Sequence, residues 1–278
     1  MALYAGFQLG PLRRPMIYDV DATDGQMESM ARVYFHRAPK AGLRALQSTV
    51  IERITFRQVA AFTAWSEWAA DGLRRAGVDT SRIRIVPPGA DLARWRPARR
   101  DLAERPLRVL FVGGDFVRKG GDLLVEAARR LEGRVELTLV TRDDPGPLPP
   151  GARTVRATPN STELRQCFVE ADVFAMPTRA ECFGIAFIEA MAAGLPVIAG
   201  DVGGVSDIVE DGKTGWLIEP SLGALLAALE FAVQHRTALA ALGARGRERA
   251  ERLFDGARND RRVVDLMLEL VEERHRGG

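Results

Sequence analysis

From residue 107 onward, short apolar segments alternate with segments of helical periodicity. The sequence predicts six strands, at residues 107–112, 135–140, 153–156, 172–177, 197–199 and 215–218. Apolar strands that are joined through helices are typical of a parallel sheet, because helices then cover both of its faces. We therefore predict an α/β fold, a Rossmann-like parallel sheet with helices on both faces.

The first ninety or so residues contain fewer predicted strands. Residues 16–20 and 59–64 have the pattern of strands, and residues 41–57 have the apolar spacing of a helix. Because a doubly wound domain needs more strands than these, we predict part of a larger Rossmann-like domain. Proline and arginine are dense between residues 87 and 106, which is typical of a boundary. The predicted divisions are a partial domain at 1–88, a hinge linker at 89–106, a complete domain at 107–262 and a last helix at 263–278 that packs back on the first domain.

The charge and cysteine content exclude several classes of protein. The 278 residues include 39 Lys and Arg against 37 Asp and Glu, and this net charge of +2 does not indicate a nucleic-acid binder. Two cysteines, Cys167 and Cys182, are too few for a disulfide framework and are expected to be buried thiols. No apolar run has transmembrane length, and residues 1–7 lack the basic start of a signal peptide. We therefore expect a cytoplasmic protein.

The first strand of the complete domain runs into a glycine-rich loop. Gly113 and Gly114 follow this strand, and Arg118 and Lys119 precede two further glycines and a helix. Glycines let a ligand approach the backbone, and a helix start offers free N–H groups and the positive end of its dipole. With two added cations this arrangement suits a diphosphate, and a tight turn with solvated cations is the alternative. The spacing matches neither a P-loop nor GxGxxG, which argues against a dehydrogenase.

A second element, residues 181–194, follows the strand at 172–177 and so lies at the carboxyl edge of the sheet, where ligands bind in open α/β folds. Glu189 is an acid in a helix that is apolar on nearly every side, so its carboxylate needs a hydrogen-bond donor. Sugar or ribose hydroxyls are such donors, and a neighbouring arginine is the alternative. Glu181 precedes the helix and can face the same crevice. The helix start offers three N–H groups to an anion, those of Phe183, Gly184 and Ile185.

Glu181 and Glu189, with seven residues between them, resemble the E-x7-E motif of the retaining family-four glycosyltransferases, within the glycosyl transferases group 1. The segment from Gly113 to Gly120 resembles the phosphate loop of that family. Three other segments look like its hinge and its downstream signatures, residues 85–91, 201–204 and 211–218. The resemblance runs from about Met16 to the end of the chain. It implies the two-Rossmann glycosyltransferase-B fold, with residues 107–262 as the donor domain.

The resemblance implies a role for each residue of the donor site. Lys119 matches a basic residue that grips the donor diphosphate. The arginine that commonly follows the first glycine is replaced by Gly114, which leaves Arg118 to compensate. Glu181 would contact sugar hydroxyls, Glu189 would hold the ribose, and Lys119, Arg118 and Glu181 are the expected catalytic residues. Further donor contacts are expected from Gly113, Gly114, Phe183, Gly184 and Ile185, and nucleobase contacts from residues 156–160, which include Thr158.

The implied activity is that of a hexosyltransferase. It moves a sugar from a nucleotide-diphosphate sugar, a UDP or GDP sugar, to an acceptor hydroxyl with retention at the anomeric carbon. No metal and no cofactor are expected, and the acceptor is a glycan, a lipid or a small molecule. Family members usually begin with a strand and glycine-rich loop that this sequence lacks, so we expect one complete half of a two-domain enzyme and the end of the other. The alternative is a non-catalytic nucleotide-sugar-binding module, or an inactive fragment that needs a partner chain.

Other features have competing interpretations. Asp19-Val20-Asp21 resembles the metal-binding DxD of another glycosyltransferase class, and turn or cap residues are the alternative. The helix at 41–57 either packs on its own domain or contacts a lipid acceptor or a membrane, so peripheral association with the inner face of the membrane is a further expectation. His36 receives no role. Five arginines are expected to form a solvated linker face or to touch anionic lipid, Arg94, Arg96, Arg99, Arg100 and Arg105.

Overall fold

The structure, a computed structural model, describes residues 15–98 and 105–276. These residues divide into two compact units. The larger comprises Pro88–Ala257, and the described residues on either side of that range form the smaller. Arg99 and Arg100, expected in the linker, lie outside the described residues. No helix within the described ranges is long and apolar enough to cross a membrane.

The smaller unit is built on a three-stranded parallel sheet. Its strands, in order across the sheet, are β1 (Ile17–Val20), β2 (Ala61–Ala64) and β3 (Ile83–Ile85). Its first four helices are α1 (Asp24–Ser29), α2 (Ala31–Tyr34), α3 (Gly42–Arg57) and α4 (Glu67–Arg75). Ser66 begins α4 because its hydroxyl accepts a hydrogen bond from Ala69 N at 3.0 Å. The core includes Phe62, Phe56 and Leu73, all buried.

Helix α3 was predicted correctly, but its apolar stripe does not pack on the described residues of its own unit. Leu43 and Leu46 are 70% and 60% exposed. The rest of the predicted stripe is also exposed, at Val50, Ile51 and Ile54. The inward side carries Phe56, which is buried, and Glu52, which accepts a hydrogen bond from Asp24 N at 2.8 Å. The stripe therefore faces outward from the described part of the smaller unit.

The larger unit contains a six-stranded sheet in which every strand is parallel to its neighbours. The strands are β4 (Leu107–Val112), β5 (Val135–Val140), β6 (Ala152–Val155), β7 (Val173–Met176), β8 (Val197–Gly200) and β9 (Gly215–Ile218). The helices are α5 (Gly121–Arg130), α6 (Thr162–Glu170), α7 (Ile185–Ala192), α8 (Val205–Ile208), α9 (Leu222–Gln234) and α10 (Arg236–Leu253). A last helix, α11 (Gly256–Arg276), begins here and lies mainly in the smaller unit. The predicted α/β fold and its six strands are confirmed.

The strand order, β6-β5-β4-β7-β8-β9, places a reversal at the middle of this sheet. From β4 the chain moves outward through β5 and β6, and it then returns to pair β7 with the other side of β4. In open α/β sheets, ligands bind at such a reversal, outside the carboxyl ends of the two strands. A ligand site is therefore expected at the loops that follow β4 and β7.

The described part of the predicted linker at 89–106 differs from the expectation, because it packs on the larger unit. Trp95 is only 2% exposed, and its ring centroid lies 4.7 Å from that of Phe168. Arg105 is not a solvated linker residue either. It forms a two-pronged ion pair with buried Asp172, at 2.7 and 2.8 Å.

Within the larger unit, the start of the range lies beside its end. Ala90 N donates to Phe254 O at 2.9 Å, and Gly256 N donates to Ala90 O at 3.1 Å. A side chain at Gly89 would overlap the backbone of Gly256. Two segments far apart in sequence therefore run together along this edge of the unit.

Candidate functional site

The loop from β4 to α5 holds Lys119 over the glycines that follow the strand. A Cβ atom at Gly113 would lie 2.7 Å from Lys119 Cδ, so a larger residue there would displace the lysine stem. Gly120 has a φ of +79° and would overlap the Pro177 carbonyl oxygen if it had a side chain. Gly114 is different, since nothing lies within 4 Å of its Cβ position. A side chain at Gly121 would overlap the Phe116 ring, so Gly113, Gly120 and Gly121 are all closely packed and Gly114 borders open space.

The loop after β7 is fastened directly to this glycine-rich loop. Arg179 N donates to Arg118 O at 2.8 Å, and Arg118 Nη1 donates to Ala180 O at 2.7 Å. The buried Thr178 hydroxyl donates to Ala180 O at 2.9 Å. The two motifs that the sequence singled out, about sixty residues apart, therefore form one continuous surface at the ends of β4 and β7.

Lys119 and Glu181 meet where these loops join. Lys119 Nζ lies 3.2 Å from Glu181 Oε2, and Arg118 Nη1 lies 3.9 Å from the same oxygen. Among the described residues no donor has hydrogen-bonding geometry to Glu181 Oε2, which is buried. Arg118 also pairs with Asp115, at 2.6 Å. Glu181 Oε2 therefore lies beside two cations and still lacks the hydrogen bond that a buried polar atom normally has.

Glu189 projects from α7, the helix whose N-cap is Gly184. Gly184 has a φ of +105°, and a Cβ atom there would lie 2.6 Å from the Phe187 ring. The Glu189 carboxylate has no hydrogen bond or ion pair with any side chain that the structure describes, so the alternative of a neighbouring arginine is not what is found. Burial raises its pKa to about 7. Ile185, the first residue of α7, is exposed, and Phe183 is buried.

The loop after β8 packs against the backbone of Glu181. Gly203 has a φ of +58°, and a side chain there would overlap the Glu181 carbonyl oxygen. Gly204 N donates to Cys182 O at 3.1 Å. The sequence matched residues 201–204 to a family signature without a role for them, and the structure gives these glycines a packing role.

Thr158 lies apart from the other predicted residues. It follows β6, the edge strand two positions from β4, and its carbonyl accepts a hydrogen bond from Ser161 N at 3.1 Å. In the same loop Asn160 has a φ of +65°, and Arg156 Nη1 donates to Arg142 O at 2.8 Å. Because every strand points the same way, this loop is at the same sheet edge as Lys119 and Glu181.

Three polar residues that support the site were missed by sequence reasoning. Arg179 pairs with Asp122 at the start of α5, with oxygens at 2.7 and 2.8 Å. Asp143, in the loop after β5, accepts a hydrogen bond from Phe116 N at 2.7 Å. The signal available was their position just beyond a strand or at a helix start. Strand order was needed to see that these positions are neighbours.

The remaining candidates have structural partners. Asp19 accepts hydrogen bonds from Thr63 Oγ1 at 2.6 Å and Trp65 Nε1 at 2.7 Å, so it is a sheet residue and not a turn or cap. Burial raises the pKa of Asp21. Within the described residues no three His, Cys, Asp or Glu side chains form a group that could hold a metal ion. Both cysteines are buried thiols outside any disulfide, as predicted, and burial raises the pKa of Cys167.

Residues 106–235 match the family described as Glycosyl transferases group 1. The D-inositol 3-phosphate glycosyltransferase of Nocardia farcinica is 38% identical over 184 residues, which are 54% of this chain and 41% of that protein. The enzyme of the same name from Salinispora tropica is 32% identical over 249 residues, 74% of this chain and 50% of that protein. The chain spans about half the length of the curated relatives it matches.

Solved structures show the same fold at low sequence identity. Sucrose-phosphate synthase from Thermosynechococcus elongatus has a TM-score of 0.75 and 24% identity, over 92% of this chain and 68% of that one. Anabaena HepE in complex with UDP and glucose has a TM-score of 0.70 and 17% identity, over 92% and 72% of the two chains. A carboxyl-terminal domain of a glycosyl transferase group 1 protein from Francisella tularensis has a TM-score of 0.51 and 20% identity, over 59% and 97%.

The fold and the family match agree with each other. Its parallel sheets with helices on both sides match the GT-B fold of glycosyltransferases. The larger unit carries a glycosyl transferases group 1 domain, and the predicted loops of that domain meet at the switch point of its sheet.

Proposed function

We propose that this protein is a glycosyltransferase that moves a sugar from a nucleotide-diphosphate sugar to an acceptor hydroxyl. The observation that carries the proposal is the meeting of Lys119 with Glu181, whose buried Oε2 has no hydrogen bond, at the ends of β4 and β7. A cation beside an unsatisfied carboxylate suits a ligand that has both phosphates and hydroxyls. A sugar diphosphate has both.

The diphosphate would lie against Lys119 and the start of α5. There the ammonium group and the positive end of the helix dipole stabilise the negative charge that grows on the leaving nucleotide, which is electrostatic catalysis. We propose transfer with retention and without a metal ion, as the resemblance of the E-x7-E motif implies. Arg118 would hold the loop through Asp115 and Ala180 as well as add positive charge.

The two glutamates would hold the two ends of the donor. Glu181 would accept hydrogen bonds from sugar hydroxyls, since its Oε2 forms an ion pair with Lys119 but has no hydrogen bond. Glu189 would accept them from the ribose, because it is half-buried and has no side-chain partner among the described residues. Thr158 and its loop would lie by the nucleobase. A UDP or GDP sugar is the proposed donor, and the UDP and glucose bound to Anabaena HepE support UDP.

The proposed acceptor is a small polyhydroxy molecule. The relatives named as D-inositol 3-phosphate glycosyltransferases support this class above a glycan or a lipid. Incubation of the purified chain with each UDP or GDP sugar and D-inositol 3-phosphate, followed by mass spectrometry, would detect the product. Donor binding without transfer to any acceptor would favour the alternative of a non-catalytic nucleotide-sugar-binding module.

Replacement of Lys119 tests the donor site. Lys119→Ala should weaken binding of UDP and GDP by about a hundredfold, because a charge-assisted contact to phosphate is worth about 1.5–3 kcal/mol. Isothermal titration with UDP, GDP and ADP measures this loss. The matched control is Lys213→Ala, since the Lys213 side chain is 72% exposed and pairs with Glu210. Equal affinity in wild type and Lys119→Ala would overturn the proposal. Activity lost with EDTA and restored by manganese would overturn metal independence.

A further inference from the structure

We propose that Arg179 is a positioning residue that holds Lys119 in place for the donor diphosphate, with Asp122 as its anchor. The inference rests on the proposed function, because it assigns Lys119 to the diphosphate. Neither Arg179 nor Asp122 is expected to touch the donor. Their role is to fix the loop that carries the cation.

The contacts of Arg179 converge on the peptide units just before Lys119. Its backbone N–H donates to Arg118 O at 2.8 Å, and its Nη1 donates to Val117 O. The same guanidinium forms a two-pronged ion pair with Asp122, Nη1 to Oδ1 at 2.7 Å and Nη2 to Oδ2 at 2.8 Å. One side chain from the loop after β7 therefore connects the glycine-rich loop with the first turn of α5.

The loop needs such a fastening because of its composition. Two glycines precede the short turn at residues 115–119, and two follow it. Glycine loses more conformational freedom on ordering than any other residue, so a glycine-rich segment holds its geometry only where other groups fix it. Lys119 adds a long flexible stem. A cation positions a diphosphate well only if the backbone from which it extends is held still.

Two physical roles for the Arg179–Asp122 pair predict opposite results. Asp122 places a negative charge at the helix start where the diphosphate would bind, so Arg179 could act merely by neutralising it. In that case Asp122→Asn removes an unfavourable charge and strengthens nucleotide binding. If the pair instead positions the loop, Asp122→Asn breaks the anchor and weakens binding despite the loss of a negative charge. We predict the second result.

The first experiment measures dissociation constants by isothermal titration for whichever of UDP, GDP and ADP binds the wild-type chain most tightly. Asp122→Asn should raise the dissociation constant by about tenfold, as expected for loss of a charged hydrogen-bonded pair. The matched control is Glu126→Gln, which removes the same charge one turn further along α5, where Glu126 pairs with Arg129 and Arg130. Its affinity should stay within about twofold of wild type. Tighter or unchanged binding by Asp122→Asn would overturn the inference.

A second experiment separates positioning of the cation from general loosening of the fold. Arg179→Met should lower affinity for the nucleoside diphosphate far more than for the monophosphate of the same base, because only the phosphate-binding loop is released. Arg179→Lys keeps the charge and should recover part of the loss. Equal losses for both nucleotides would overturn the inference. If Arg179→Met does not fold, as judged by thermal unfolding, Asp122→Asn and Arg179→Lys decide. A wild-type chain that binds no nucleoside diphosphate would instead refute the proposed function.

Discussion

At the scale of single residues, Glu189 has a measurable consequence for stability. Burial raises its pKa from 4.5 to about 7, and it has no hydrogen-bond donor or cation among the described residues. The unfolded chain loses this proton near pH 4.5, whereas the folded protein keeps it until near pH 7. The contribution of Glu189 to stability is therefore highest below pH 4.5 and falls as the pH rises to 7.

Glu189→Gln should consequently stabilise the protein at alkaline pH. The amide carries no charge, so at pH 8 the free energy of unfolding should rise by up to about 3 kcal/mol, with little change at pH 4.5. Urea denaturation at the two pH values measures this. Glu132→Gln is the control, because Glu132 is exposed. An unchanged free energy of unfolding at pH 8 would mean that other groups in the folded protein already stabilise the charged Glu189 carboxylate.

The same substitution should impair recognition of ribose. If Glu189 accepts hydrogen bonds from the ribose hydroxyls, the wild type should bind UDP more tightly than 2′-deoxy-UDP, and Glu189→Gln should reduce this preference by about tenfold. A variant that gains stability while it loses ligand discrimination is expected of a residue kept for function. An unchanged preference would remove Glu189 from the ribose site.

Gly114 offers a gain-of-function test. Its Cβ position has nothing within 4 Å, and its φ lies outside the left-handed region, so a side chain fits without strain. The family that this sequence resembles commonly has arginine there. Gly114→Arg should therefore tighten binding of a nucleoside diphosphate by about tenfold at low salt, and less at high salt. Gly114→Ala makes the same backbone change without the charge and should have wild-type affinity, which isothermal titration can check.

At the scale of elements, the loop after β8 positions Glu181 through a glycine. A side chain at Gly203 would be strained, because its φ is +58°, and would overlap the Glu181 carbonyl oxygen. Gly203→Ala should cost about 2–4 kcal/mol of unfolding free energy and should also weaken donor binding. Gly212→Ala is the matched control. Gly212 has a φ of +68° and open space around its Cβ position, so it should cost only about 1 kcal/mol. Equal losses in urea denaturation would contradict the packing role of Gly203.

The sequence predicted these elements unequally well, for a physical reason. Each strand of the larger unit lies within one residue of its predicted bounds at either end. The clearest are β7 and β8, because fully buried parallel strands are continuous apolar runs. The existence of α3 was equally clear from its periodicity. Which side of α3 faces inward was not, since Leu43 and Leu46 point outward while Glu52 points inward. Periodicity identifies a face of a helix but not what lies against it.

At the scale of the whole molecule, the missed part of the site depends on strand order. Lys119 and Glu181 could be proposed from local motifs that follow strands. Their supports, Arg179 and Asp122, became visible only because β7 returns to the side of β4 opposite β5. No local pattern encodes that adjacency. The prediction of a linker at residues 89–106 failed for a similar reason. Its composition is typical of a boundary, but Trp95 within it is buried against Phe168.

The contact of Ala90 with Phe254 and Gly256 brings the two ends of the larger unit within hydrogen-bonding reach of each other. A domain whose two ends lie side by side can be expressed alone or circularly permuted at little cost in loop-closure entropy. Residues 88–257 expressed alone should therefore fold cooperatively and bind a nucleoside diphosphate. So should a circular permutant reopened at the exposed Gly133 turn. Circular dichroism and titration with a nucleoside diphosphate would check both. Success would mean that the proposed donor site is an autonomous folding unit that can be transferred to another chain.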